Sequence, residues 1–70
     1  MKPIASMTVT NMCSIVITDI DTYEDKVTFY WDFGQPKKRL NRSNLRNDWK
    51  GHMYFVSRGQ RYYLSDFIRL

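Results

Sequence analysis

The sequence predicts an all-β or β-rich fold, a small barrel or antiparallel sheet of four or five short strands with a short C-terminal helical turn. Three observations predict it. β-branched and aromatic residues recur in short runs, and such side chains suit a pleated sheet better than a helix. Gly34, Gly51 and Gly59 stand singly between those runs, where chain reversals need them. No apolar stripe of helical period is long enough for a long helix.

Taken in order, residues 1–7 read as a partly loose lead-in, and Thr8-Val9-Thr10 as a short edge strand or a tail. Ser14-Ile15-Val16-Ile17-Thr18 is almost wholly β-branched and predicts a strand. Residues 19–25 are acidic and rich in turn formers. They join this strand to Lys26–Phe33, in which Val27, Phe29, Trp31 and Phe33 fall on one face and Thr28, Tyr30 and Asp32 on the other. One apolar face opposite one polar face is the pattern of an antiparallel sheet covered on one side.

Gly34-Gln35-Pro36 ends that strand. The basic segment 37–50 admits two readings. In the favoured one, residues 37–41 form a short strand followed by a helical turn capped by Ser43. The alternative is an α+β fold with a helix near 38–48, weakened by three Asn and by having only Leu40 and Leu45 as apolar contacts. Beyond Gly51, Met53–Val56 and Arg61–Leu64 flank a central Arg58-Gly59 pair, the signature of a tight hairpin. Ser65 is placed to cap a last helical turn, in which Phe67, Ile68 and Leu70 close the open end of the sheet. Geometrically this is an SH3-like or OB-like barrel pattern.

Seventy residues suit a single small domain spanning 1–70. Such a chain buries about 60% of its unfolded surface, so nearly every large apolar residue is needed for packing. Cys13 is the one cysteine and forms no intramolecular bridge, which places the chain in a reducing, cytoplasmic setting. Cys13 and His52 alone fall short of a zinc site, so no metal or cofactor is expected. The N-terminus does not read as a signal peptide, and no window suits a membrane span.

Charge carries the functional signal. Residues 1–35 hold two cations against five carboxylates, a net −3, and residues 36–70 hold nine against two, a net +7. Lys37, Lys38, Arg39, Arg42, Arg46 and Lys50 crowd one segment, and Arg58 and Arg61 extend it through the hairpin. Clustered cations favour phosphates, because each neutralised phosphate releases a condensed counterion. Asn41, Asn44 and Asn47 add hydrogen-bonding groups among them. The bland reading of the same cations is a solvated surface that keeps a small protein soluble.

Of the aromatics, Trp49 and Tyr54 are the expected stacking residues, with Tyr30, Tyr62 and Tyr63 as further candidates. Phe29, Trp31, Phe55 and Phe67 are assigned to the core. The carboxylates at Asp19, Asp21, Glu24 and Asp25 lack the glycine and distal Glu of a calcium loop and read as a solvated turn. Neither Cys13 nor His52 has a sequence neighbour that would activate it, so no catalysis is expected. The leading expectation is a non-catalytic protein that engages nucleic acid or a nucleoprotein complex through one basic face. Its rival is a small inhibitor or adaptor that blocks a larger protein, in the style of phage and mobile-element accessory proteins. A third is a homo-oligomer joined through an exposed sheet edge.

Overall fold

The computed structural model describes residues 2–34 and 38–70. The predicted β-rich fold is what it shows. Strands β1 (Ala5–Thr10), β2 (Cys13–Asp21), β3 (Lys26–Asp32), β4 (Leu40–Asn44) and β8 (Ile68–Arg69) form an antiparallel sheet in the order β4-β3-β2-β1-β8. Strands β5 (Arg46–Asn47), β6 (Met53–Ser57) and β7 (Gln60–Tyr63) form a smaller antiparallel sheet. A 3-10 turn, Leu64–Asp66, leads into β8.

The two sheets enclose the core. Ile15 and Ile17 of β2 and Val27 and Phe29 of β3 face Phe55 of β6, Tyr62 of β7 and Phe67. The Phe29 and Phe55 rings lie 4.7 Å apart. Large rings give this short chain much of its burial. The alternation predicted for β3 holds, with Val27 and Phe29 buried and Thr28 and Tyr30 on the outer face.

The N-terminal strand begins at Ala5, which is buried and pairs with Ile17 and Arg69, so Ala5–Met7 belong to the sheet and not to a loose lead-in. Strand β2 extends through Asp21, with an irregularity between Ile17 and Asp19, so the turn to β3 is shorter than the predicted 19–25. Asp21 tightens that turn by accepting hydrogen bonds from the backbone N–H of Tyr23 and of Glu24, both 3.0 Å.

The basic segment departs most from expectation. No helix forms over 38–48, and Ser43 caps no helical turn. Instead β4 pairs with β3 from Lys26↔Asn44 to Tyr30↔Leu40. A helix here would have left the second edge of β3 unpaired and offered only two leucines for packing, so the sheet wins. Ser43 lies in β4 and donates its hydroxyl to the Val56 carbonyl of the small sheet, 3.0 Å away. The chain changes sheets at Leu45, which is buried and donates its N–H to the Asp25 carbonyl at 2.7 Å.

Beyond that point the hairpin prediction holds. Arg58 and Gly59 connect β6 to β7 with φ of +52° and +76°, the double positive φ of a type I′ turn. The C-terminus corrects another expectation. Tyr63, not Ser65, occupies the N-cap of the 3-10 turn, without a side-chain cap. Ile68 and Leu70 are exposed, and of the predicted closing residues only Phe67 is buried.

Candidate functional site: a basic cleft floored by aromatic rings

The relative direction of the strands fixes two ends of the molecule. Phe29 of β3 packs on Phe55 of β6, and Trp31 Nε1 donates to Ser57 Oγ at 3.1 Å. Residues two apart on β3 thus meet residues two apart on β6 in the same order, so these strands run side by side in one direction. The β3–β4 connection and the Arg58-Gly59 turn therefore share one end. The β2–β3 turn, the Asp48–Gly51 turn and the start of β6 share the other.

At the first end the side chains converge on a cleft of about 320 Å³ lined by Trp31, Phe33, Arg39, Asn41, Ser57 and Arg58. Each reaches it for a local reason. Trp31 and Phe33 are two residues apart on extended backbone, so they share a face. Their rings stack 6.1 Å apart at an interplanar angle of 10°. Tyr62 meets the Trp31 ring edge-on at 5.9 Å, which fixes its tilt. Arg58, at the hairpin tip, lays its guanidinium 4.4 Å from the Trp31 ring and 5.3 Å from the Phe33 ring. Arg39 and Asn41 enter from the start of β4, and the Asn41 amide Nδ2 donates to the Arg39 carbonyl at 3.3 Å.

Arg58 occupies an unusual backbone position. Type I′ turns favour Asn or Gly at positive φ, because a β-carbon there crowds the backbone. Holding an arginine at φ +52° costs about 1–2 kcal/mol. The contacts with two rings offset part of that cost. Strain of this kind points to a side chain needed where it sits.

The remaining cations go elsewhere, so the single basic face expected from the sequence is divided. Lys38 and Arg39 are neighbours on extended backbone and point to opposite faces. Lys38 lies on the outer face of the large sheet, 4.9 Å over the Tyr30 ring and 3.7 Å from Asp32. Arg42 is on that outer face too, 3.7 Å from Glu24. Arg46 pairs in register with Tyr54 on the outer face of the small sheet. There Arg61 covers the Tyr54 ring at 4.6 Å. The neighbouring Tyr63 hydroxyl, with Tyr54 and Asp48, raises the already high pKa of Arg61. Lys50 sits 4.9 Å over the Trp49 ring at the far end. Lys37 lies outside the described residues. The physical reason is the two-residue alternation of strands plus the change of sheet at Leu45: a helix would have aligned Lys38, Arg42, Arg46 and Lys50, and strands cannot.

The aromatic expectations change as well. Tyr54 is buried beneath Arg61 and offers no open face. Trp31, assigned to the core by its pattern, is only half-buried at the rim and lines the cleft. Phe33, Asn41 and Ser57 were not singled out by the sequence. The signal for Phe33 was present, because the apolar stripe of β3 runs one step past the strand end, where a ring has no opposing sheet to enter.

The other end is built differently. The Asp48 carboxylate accepts the backbone N–H of Lys50 at 2.9 Å and of His52 at 2.8 Å. The Asp48 and His52 backbones also hydrogen-bond to one another, and Gly51, at φ +82°, closes the turn. These donated hydrogen bonds, the His52 amide first, hold the Asp48 carboxyl below its ordinary value of 3.8. The turn displays Trp49 with 88% of its surface exposed. Ser65, His52 and Asp48 line one shallow depression, and the His52 ring is 3.8 Å from Asp48. Nucleophilic chemistry needs a base hydrogen-bonded to its nucleophile, and the hydrogen bonds among the described residues include none between His52 and Ser65.

Comparison with protein-family models, with curated proteins and with solved structures gives no match for this chain. Among the described residues, no helix is long and apolar enough to cross a membrane.

Proposed function

We propose that this protein is a non-catalytic binding module that engages nucleic acid through phosphates at the end carrying Arg39 and Arg58. One observation carries the reading: two arginines border a cleft whose floor is aromatic, and neither takes part in an ion pair found among the described residues. Such cations keep their charge for an outside anion, and the rings beside them suit bases. Contacts made mainly to phosphate give weak sequence preference. Lys38 adds positive potential close by, moderated by Asp32.

The test is binding of generic DNA and RNA oligonucleotides at about 50 and 200 mM salt, where phosphate-driven association falls steeply. The proposal expects measurable binding at the lower salt and a clear loss at the higher. Absence of binding at the lower salt removes it.

A second reading has its own support. Trp49 stands almost fully in solvent on a turn held by four hydrogen bonds, and a rigid exposed Trp is the type of residue that anchors a protein interface. This favours a protein partner at the opposite end, as an inhibitor or adaptor would have. The two readings predict different residues and are separated by substituting Trp49 and Arg58 independently.

A further inference from the structure

We infer that the cleft admits one unstacked base of a single strand, so that this protein prefers single-stranded over duplex nucleic acid. This inference rests on the proposed nucleic-acid reading and narrows it.

The cleft's dimensions come first. At about 320 Å³ it lies at the lower end of the roughly 300–1,000 Å³ of small-ligand clefts. It is a recess for one flat group and not a groove for a double helix. Its floor is aromatic, with Trp31 and Phe33 nearly parallel, and every base has a π-face that such rings accept without regard to sequence. In a duplex those faces are occupied by neighbouring base pairs. Only a base already out of its stack, or free in a single strand, presents one.

The polar groups fit a base edge with phosphate alongside. Ser57 Oγ accepts the Trp31 indole N–H, and its own hydroxyl hydrogen remains to be donated into the cleft. Asn41 uses Nδ2 on the Arg39 carbonyl, which leaves its Oδ1 as an acceptor. One donor and one acceptor beside an aromatic floor match the mixed edge of a nucleobase and do not select strongly among the four. The guanidinium groups of Arg39 and Arg58 flank the same space, placed for the phosphates on either side of the base. Arg58 also presents a flat cation to the base, since its plane already stacks on Trp31. The strained φ of Arg58 follows from this demand.

The experiment uses the full chain carrying Trp49→Phe, which leaves Trp31 as the single tryptophan reporter, because the sequence holds two. Trp31 fluorescence and affinity are followed with a homopolymeric single strand and with a duplex of equal length, both at about 50 mM salt. The inference expects the single strand to bind at least about tenfold tighter and to quench Trp31, as base stacking on a ring would. Equal affinity for the two, with Trp31 emission unchanged, overturns the single-strand inference and leaves the phosphate reading standing. Binding to neither overturns both. A second variant guards against misfolding. Arg58→Asn places a residue that type I′ turns favour at the tip, so the unfolding midpoint should hold or rise. Single-strand affinity should fall about tenfold or more. If that variant binds single strands as the parent does, the cleft is not the site.

Discussion

The two ends of this molecule hold their charges in contrasting ways. At the cleft end, Arg58 rests on Trp31 and Phe33, and the nearby Arg39 borders the same space. At the opposite end, Arg42 faces Glu24, and Asp48 is committed to backbone amides and His52. Exposed ion pairs contribute about 0–1 kcal/mol to stability, so the second arrangement chiefly neutralises charge locally. An arginine over rings retains its full charge and a flat donor array. Equal numbers of cations thus differ in what they offer an outside anion, and the partners of each cation matter more than the net charge.

Several perturbations break or sharpen that contrast. The largest removes both ends together. Phe55 is fully buried between the sheets and touches Phe29, Tyr62 and Phe67. Phe55→Ala should cost about 3–5 kcal/mol, enough to unfold most of a domain this small, and chemical denaturation followed by circular dichroism measures it. Next is the double change Arg39→Ser with Arg58→Asn. It should lower nucleic-acid affinity by about 100-fold if each arginine makes one charge-assisted contact, whereas Arg42→Ser with Arg46→Ser should change it by only a few-fold through long-range potential. Parallel filter-binding titrations compare the two pairs, and equal losses would erase the distinction between the ends.

A smaller effect is expected from Trp49→Ala. Its ring is almost entirely in solvent, so stability should move by less than about 0.5 kcal/mol and nucleic-acid affinity should not change. Thermal melts and the same titrations check both, and a large loss of affinity would transfer the site to this turn. The smallest effect concerns pH. The folded turn holds the Asp48 carboxyl below 3.8, so its contribution is present above that value and is lost as pH falls through the lower, folded one. Acidification below about 4 should loosen the 48–51 turn before the core opens, read as a change in Trp49 emission in a Trp31→Phe background.

How much of this was legible in the sequence differs by element. The β3 stripe and the Arg58-Gly59 hairpin were readable, because a two-residue period and a glycine at positive φ are local signals. The basic segment was not. Whether Leu40–Asn44 becomes strand or helix depends on the open edge of β3, a contact made across the turn and absent from local propensity. That single ambiguity also governed the candidate site. A helix would have merged the cations into one stripe, and the strand with its change of sheet at Leu45 distributed them over separate surfaces. Trp31 was misassigned for a related reason. Periodicity gives the face a residue occupies but not how far along that face the opposing sheet extends, and β6 ends at Ser57, just where Trp31 needs a partner.

The central claim is that binding belongs to the cleft end. Backbone amide NMR of the full chain, titrated with a short single-stranded oligonucleotide at about 50 mM salt, tests it most directly. The account predicts shifts concentrated at residues 31–33, 39–41 and 57–59, with the Trp31 indole resonance among the most displaced and the 48–52 turn unmoved. Shifts gathered on the Trp49 turn or on the Tyr54–Arg61 surface, with residues 31–33 silent, would contradict it.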